Sequence, residues 1–171
     1  MSDAPGTSGN LFDRISQAVG KAASWLTLFM VLLTAVIVNM RYVFDAGMIW
    51  MQESVTWMHA AVFMLGASYT LLHEEHVRVD IFYRNMSVRR QAIVDLVGVI
   101  LFLLPLCGYL AFVAYDFAAA SWSIRESSRE PGGLAYPMIP IRKSMVVAMP
   151  VLVALQGVSL MMRSLARLRQ G

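Results

Sequence analysis

The sequence predicts an all-α integral membrane protein, four transmembrane helices with an N-terminal amphipathic interfacial helix, and three observations carry that expectation. The 171-residue chain is 58% hydrophobic and 15% charged, where soluble domains run near ~25% charged. Four stretches of 18–20 residues carry no Asp, Glu, Lys or Arg, and each is long enough for the ~30 Å hydrocarbon core of a bilayer. No run alternates over enough short segments to build a β-barrel, and inside lipid only helices or closed barrels satisfy the backbone. Excess apolar residues exclude disorder, and the lone Cys107 excludes a disulfide scaffold. Four spans leave little chain for a soluble catalytic domain.

Taken in order, residues 1–10 contain Pro5, Gly6 and Gly9 among small polar residues and are expected to be disordered. The rest, 11–171, is expected to form one four-helix membrane domain with spans at about 22–40, 55–72, 92–122 and 144–162. Asn10 is placed to cap a helix with Asp13 in its first turn, where the helix dipole favours a carboxylate. Leu11, Phe12, Ile15, Ala18, Val19 and Ala22 fall on one face, with Asp13, Arg14, Gln17 and Lys21 opposite. Such a segment suits the headgroup layer, the alternative being a plain extension of the first span. The first span is too long for the h-region of a cleaved signal peptide, and Met40-Arg41-Tyr42-Val43 offers no small-residue cleavage site. It reads as a retained anchor.

Ser87 is a candidate N-cap for a third helix from Val88 to Trp122, with a kink expected at Pro105. Pro150 is a second tolerable interruption, in the fourth span. The connection from Asp116 to Lys143 holds Pro131-Gly132-Gly133, a turn signal. Pro137 and Pro140 are expected to stop any helix before the fourth span.

Orientation follows from Lys and Arg in the flanks. With a cytoplasmic N-terminus, nine fall inside and five outside, so both termini are expected in the cytoplasm. Trp25 sits at the inner boundary and Trp50, Trp57 and Trp122 at the outer one, an aromatic belt. Membrane lipids are the expected surroundings, and no nucleic-acid partner is expected.

Ionisable groups within the membrane are the first functional candidates. Here Glu53, Asp95 and Asp116 sit at span boundaries, and His59 lies one turn inside the second span. A transport pathway needs polar groups converging near the midplane, and none of the spans has them. Haem would need axial ligands on facing helices, yet His59, His73 and His76 all fall on the second span or just past its end. His59 is expected to bond a neighbouring group instead. His73-Glu74-Glu75-His76 lacks a third metal ligand and reads as a solvated helix end. No phosphate loop, nucleophile elbow or CxxC is present, so neither catalysis, metal nor cofactor is expected. Small residues, Gly66-Ala67, Gly98, Gly108, Ala154 and Gly157, offer close-packing faces. These exceed the needs of a closed monomer and point to another subunit.

An ordered set of residues then resembles one family. Arg41-Tyr42-Val43-Phe44 ends the first span, Trp50 and Glu53 open the second, Gly66-Ala67 follow, and His76-Val77-Arg78-Val79-Asp80 comes after. With four spans, this resembles the small membrane subunit of TRAP transporters, the DctQ-like family, from about Leu11 to the end. Ser54 stands where a second carboxylate beside Glu53 is expected. The resemblance implies a non-catalytic subunit of a sodium-coupled importer of carboxylate-bearing solutes in the bacterial cytoplasmic membrane. Its partners would be a large membrane subunit of about twelve spans and a periplasmic substrate-binding protein. The Ser128–Gly133 segment resembles the branch associated with 2-oxo acids, mannitol or chloroaromatic acids. Interface or docking candidates are Arg41, Trp50, Glu53, Trp57, Gly66, Arg78, Asp80 and Arg129. Arg41 and Glu53 are placed to pair across the short turn between the first two spans, and Arg78 and Asp80 to fix the inner connection. The rival reading is an independent small homo-oligomeric transporter or channel.

Overall fold

The computed structural model describes residues 11–72 and 86–170. Its helices are α1 (Leu11–Val43), α2 (Ile49–Leu72), α3 (Val88–Ser123) and α4 (Met138–Gln170), with no strand among the described residues. All four are long and apolar enough to cross a membrane. At 1.5 Å per residue, the 33-residue α1 is about 50 Å long. The expected disorder of residues 1–10 and the Asn10 cap lie outside the described residues.

Packing sets the order α1, α2, α4, α3: α1 lies along α2, α2 on α4, and α3 on the other side of α4. Helices α1 and α4 also touch, and no extensive contact joins α1 to α3 among the described residues. The start of α1 and the end of α4 share one end of the molecule, here the terminal end. The α1–α2 turn and the α3–α4 connection share the other, the loop end.

The amphipathic stretch after Leu11 is not a separate helix but the first turns of α1 itself. The reason is polar: Asp13, Ser16 and Gly20 are its buried residues, while Leu11 is 68% exposed. Of the face expected to be polar, Asp13 alone is buried; Arg14, Gln17 and Lys21 are exposed, and Phe12, Ile15 and Val19 are half-buried. The Tyr69 ring of α2 lies against Gly20, in the space a Cβ would take, so glycine there permits the close approach of α1 and α2. Gly157 does the same for α3 and α4, where a Cβ would come within 2.5 Å of Leu103. Around Gly66, Gly98 and Gly108 the space is open.

Helix α3 carries a π turn over Val99–Leu103, in which the Leu104 N–H reaches the Val99 carbonyl. Pro105 next to it has no N–H for the Leu101 carbonyl, and the wider turn accommodates the missing bond. The expected disturbance at Pro105 is therefore a π turn. Ser87 holds the extended cap conformation and its carbonyl accepts the Gln91 N–H at 3.0 Å, but its side chain makes no capping bond. At its far end α3 closes with left-handed Arg125 (φ 49) and a 3.1 Å bond from the Glu126 N–H to the Ser121 carbonyl, a Schellman cap. Pro137 and Pro140 do not hold the fourth helix back. Helix α4 starts at Met138 with Pro140 in its first turn, where a missing N–H costs nothing because those donors have no intrahelical partner.

Candidate docking surfaces and the clamps behind them

At the loop end, Glu53 organises the α3–α4 connection. Its Oε2 accepts the Leu134 backbone N–H at 2.6 Å, and its Oε1 accepts the Ser128 hydroxyl. The Ser128 N–H bonds the Leu134 carbonyl at 2.9 Å, and the Glu130 N–H bonds the Ser128 hydroxyl oxygen at 3.1 Å. In return the loop caps α2, because the Gly132 carbonyl accepts the Trp50 N–H at 3.1 Å, one of the donors a helix start leaves unpaired. Two glycines make this geometry possible. Gly132 adopts φ 75, and a Cβ on Gly133 would lie 2.7 Å from Glu53 Oε2. The Pro-Gly-Gly signal thus marks a turn seated on the start of α2.

Neighbouring groups pin the same region. Half-buried Trp57 donates its indole N–H to the Met138 carbonyl at 2.9 Å, tying α2 to the start of α4. Trp122 donates to the Ser144 hydroxyl at 2.9 Å and meets the Tyr136 ring edge-on. Glu126 accepts from Lys143 and Ser121, each at 2.6 Å, and the Lys143 ammonium lies 4.4 Å from the Phe117 ring centre. The Lys143 hydrogen bond, with that of Ser121 after it, holds the Glu126 carboxyl below its usual range.

Arg41, Trp50 and Arg129 are exposed at this end. No ion pair joins Arg41 to Glu53 among the described residues, because the loop takes both Glu53 oxygens. Ser54 turns its hydroxyl back to the Trp50 carbonyl at 2.7 Å. Arg78, Asp80 and the His73–His76 cluster lie outside the described residues.

The terminal end holds a cluster that sequence reasoning missed. Asp13 Oδ1 accepts the Ser159 hydroxyl at 2.7 Å and the Gln156 amide N–H at 3.1 Å, and Arg163 stands 3.8 Å from Oδ2. Ser16 donates to Gln156 Oε1 at 3.0 Å. Asp13 is 5% exposed, and Gln156 and Ser159 are fully buried. The signal was present in two matching ladders. Asp13, Ser16 and Gly20 occupy positions i, i+3 and i+7 of α1, and Gln156, Ser159 and Arg163 occupy the same spacing on α4. One places a carboxylate and a hydroxyl on a face, the other the donors to meet them.

Between these ends a trough follows the α1–α2 seam. Its loop-end half is an open groove of about 700 Å³ that includes Thr34, Asn39, Thr56 and His59. Its terminal half includes Ser24, Thr27, Gly66 and Thr70. The expectation that His59 bonds a neighbour fails, because the imidazole is exposed in the trough and bonds no other described residue. Among the described residues no group of three or more His, Cys, Asp or Glu side chains is arranged to hold a metal.

Comparison with known proteins agrees with this architecture. Residues 30–167 match the family described as tripartite ATP-independent periplasmic transporters, DctQ component. Over 92 residues the chain is 30% identical to the C4-dicarboxylate TRAP transporter small permease protein DctQ of Vibrio cholerae serotype O1. That match covers 52% of this chain and 40% of the relative. No solved structure matches. The family match takes in most of the four-helix domain, and the chain, a multi-pass membrane protein by its four apolar helices, belongs to the family of the DctQ component of tripartite ATP-independent periplasmic transporters.

Proposed function

We propose that the chain braces a large transport subunit of about twelve spans in a sodium-coupled TRAP importer of carboxylate-bearing solutes. It also helps to seat a periplasmic substrate-binding protein at its loop end. The observation that carries this reading is where the polar groups gather. Carboxylate clusters centred on Glu53 and Asp13 lie at opposite ends of the helices, and the middles pack through apolar and small residues. A substrate pathway calls for polar groups near the midplane; a brace calls for stiff ends and helix-packing faces. The name of the Vibrio relative supports dicarboxylates as one such solute class.

In this reading the protein lies in the bacterial cytoplasmic membrane with both termini in the cytoplasm, so the loop end faces the binding protein. The latched turn presents Trp50, Arg41 and Arg129 there as docking groups. Arg78 and Asp80 belong to the opposite side and contact the large subunit. Reconstitution into vesicles with sodium supplied on the outside tests the proposal. Uptake is expected only when the chain is combined with a large subunit and a binding protein, and uptake by the chain alone would overturn it. Arg41→Ala and Asp80→Ala are each expected to lower uptake or complex yield, and normal values for both would remove those residues from the docking set.

A further inference from the structure

Polar side chains along the α1–α2 trough have partners within the chain, with one exception. Ser24, Thr27 and Thr34 donate to carbonyls one turn back at 3.1, 3.0 and 2.7 Å. The Asn39 amide and the Thr56 hydroxyl do likewise at 2.8 and 3.3 Å. The exception is His59, which is exposed in the trough and bonds no other described residue. It lies about 15 Å along α2 from the start at Ile49, one turn inside the uncharged run that begins at Val55. Hydrocarbon offers an imidazole no hydrogen bond, and an unpaired polar group there is costly.

The opposite side of the molecule makes the contrast. Helix α3 exposes Leu101, Phe102, Leu106, Phe112 and Val113, large apolar side chains suited to lipid tails. The trough exposes Val31, Val38 and Phe63 as well, but it sets the unpaired His59 beside Ala35, Gly66 and Ala67, and small residues let a second helix approach closely. The chemistry also bears on the occupant. A hydrogen bond to His59 within a bilayer needs a polar side chain, which a helix of a neighbouring membrane subunit supplies and lipid tails do not.

Resting on the reading of the chain as a small TRAP subunit, the geometry points to the α1–α2 trough as the seat of a membrane-spanning helix of the large subunit. That helix presents a hydrogen-bonding side chain to His59, and the α3 face is left to lipid.

The test uses the complex isolated from co-expression with the large subunit. A photoreactive benzophenone amino acid is placed at Val38 or Phe63 in the trough, and at Phe102 or Phe112 on α3 for comparison. Adducts with the large subunit are expected from the trough positions only. An intact complex whose adducts arise from α3, or join two copies of this chain, overturns the seat and leaves the subunit reading standing. Failure to isolate any complex overturns both. His59→Leu is expected to lower the co-purified large subunit about three- to tenfold, the range of one interhelical hydrogen bond in a membrane. His59→Gln, which still hydrogen-bonds, is expected to retain most of it. Equal yields from the two variants would remove His59 from the contact.

Discussion

The two ends of the molecule use the same chemistry, a carboxylate accepting from serine and from N–H groups, in opposite surroundings. At the terminal end Asp13 is 5% exposed and joins residues more than 140 positions away on α4. At the loop end Glu53 is half-buried and holds a turn, and Glu126 pairs with Lys143 near the surface. Burial changes what each bond is worth. Removing one partner of a buried charged pair costs about 3–5 kcal/mol, because the other remains unpaired out of water, whereas exposed pairs contribute ~0–1 kcal/mol. The terminal cluster therefore fixes which helices meet, and the loop cluster fixes the shape of what is presented outside.

The largest effect is expected from Asp13→Ala, which strands Gln156, Ser159 and Arg163. A loss of about 3 kcal/mol is expected, seen as a lower apparent Tm in detergent. Asp13→Asn, which keeps one acceptor, should lose about 1 kcal/mol. Equal, negligible losses in both would break the contrast between the ends.

Next comes Gly133→Ala, whose methyl group would press on Ser128 and Glu53. Overpacking of this kind costs about 1–3 kcal/mol. Because the strain falls on the turn, limited proteolysis should cut near Ser128 faster while Tm moves less than for Asp13→Ala. Glu53→Gln should cost about 1 kcal/mol, discounted for its exposure, because an amide has one accepting oxygen for two donors. It too should expose the turn to protease, and an unchanged cutting rate would remove Glu53 from the latch.

The smallest effect is the titration of Glu126. Its carboxyl is held below the ordinary value of 4.5. The stabilisation it gives is therefore full above that value and is lost as pH falls through the lower, folded one. Acidification in that window should loosen the end of α3, followed through Trp122 fluorescence, and Glu126→Gln should abolish the change.

The helices were legible because long uncharged runs leave the backbone one solution in lipid. Pro131-Gly132-Gly133 announced its turn, since both glycines are needed for steric reasons, whereas nothing local to Trp57 announced that its indole would bond the Met138 carbonyl. Asp13 was visible only as a dipole partner within its own helix. Its Gln156 and Ser159 contacts depend on α1 and α4 being neighbours, which no local pattern states. The proposed Arg41–Glu53 pair failed for a related reason, since proximity across a turn did not reveal that the backbone N–H of Leu134 and the hydroxyl of Ser128 would occupy the carboxylate. Among the small residues, Gly157 is used within the chain and Gly66 faces outward. Spacing alone treats the two alike.

Helix α4 packs against all three of the others, whereas α3 has α4 as its principal helical neighbour. The molecule should therefore come apart in a set order. Helix α3, interrupted by its π turn at Val99–Leu103, has one principal helical interface to lose and can open as a unit by itself, while the middle of α4 retains its amide protons longest. A lesion in α4 frees all its neighbours at once; one in α3 frees α3.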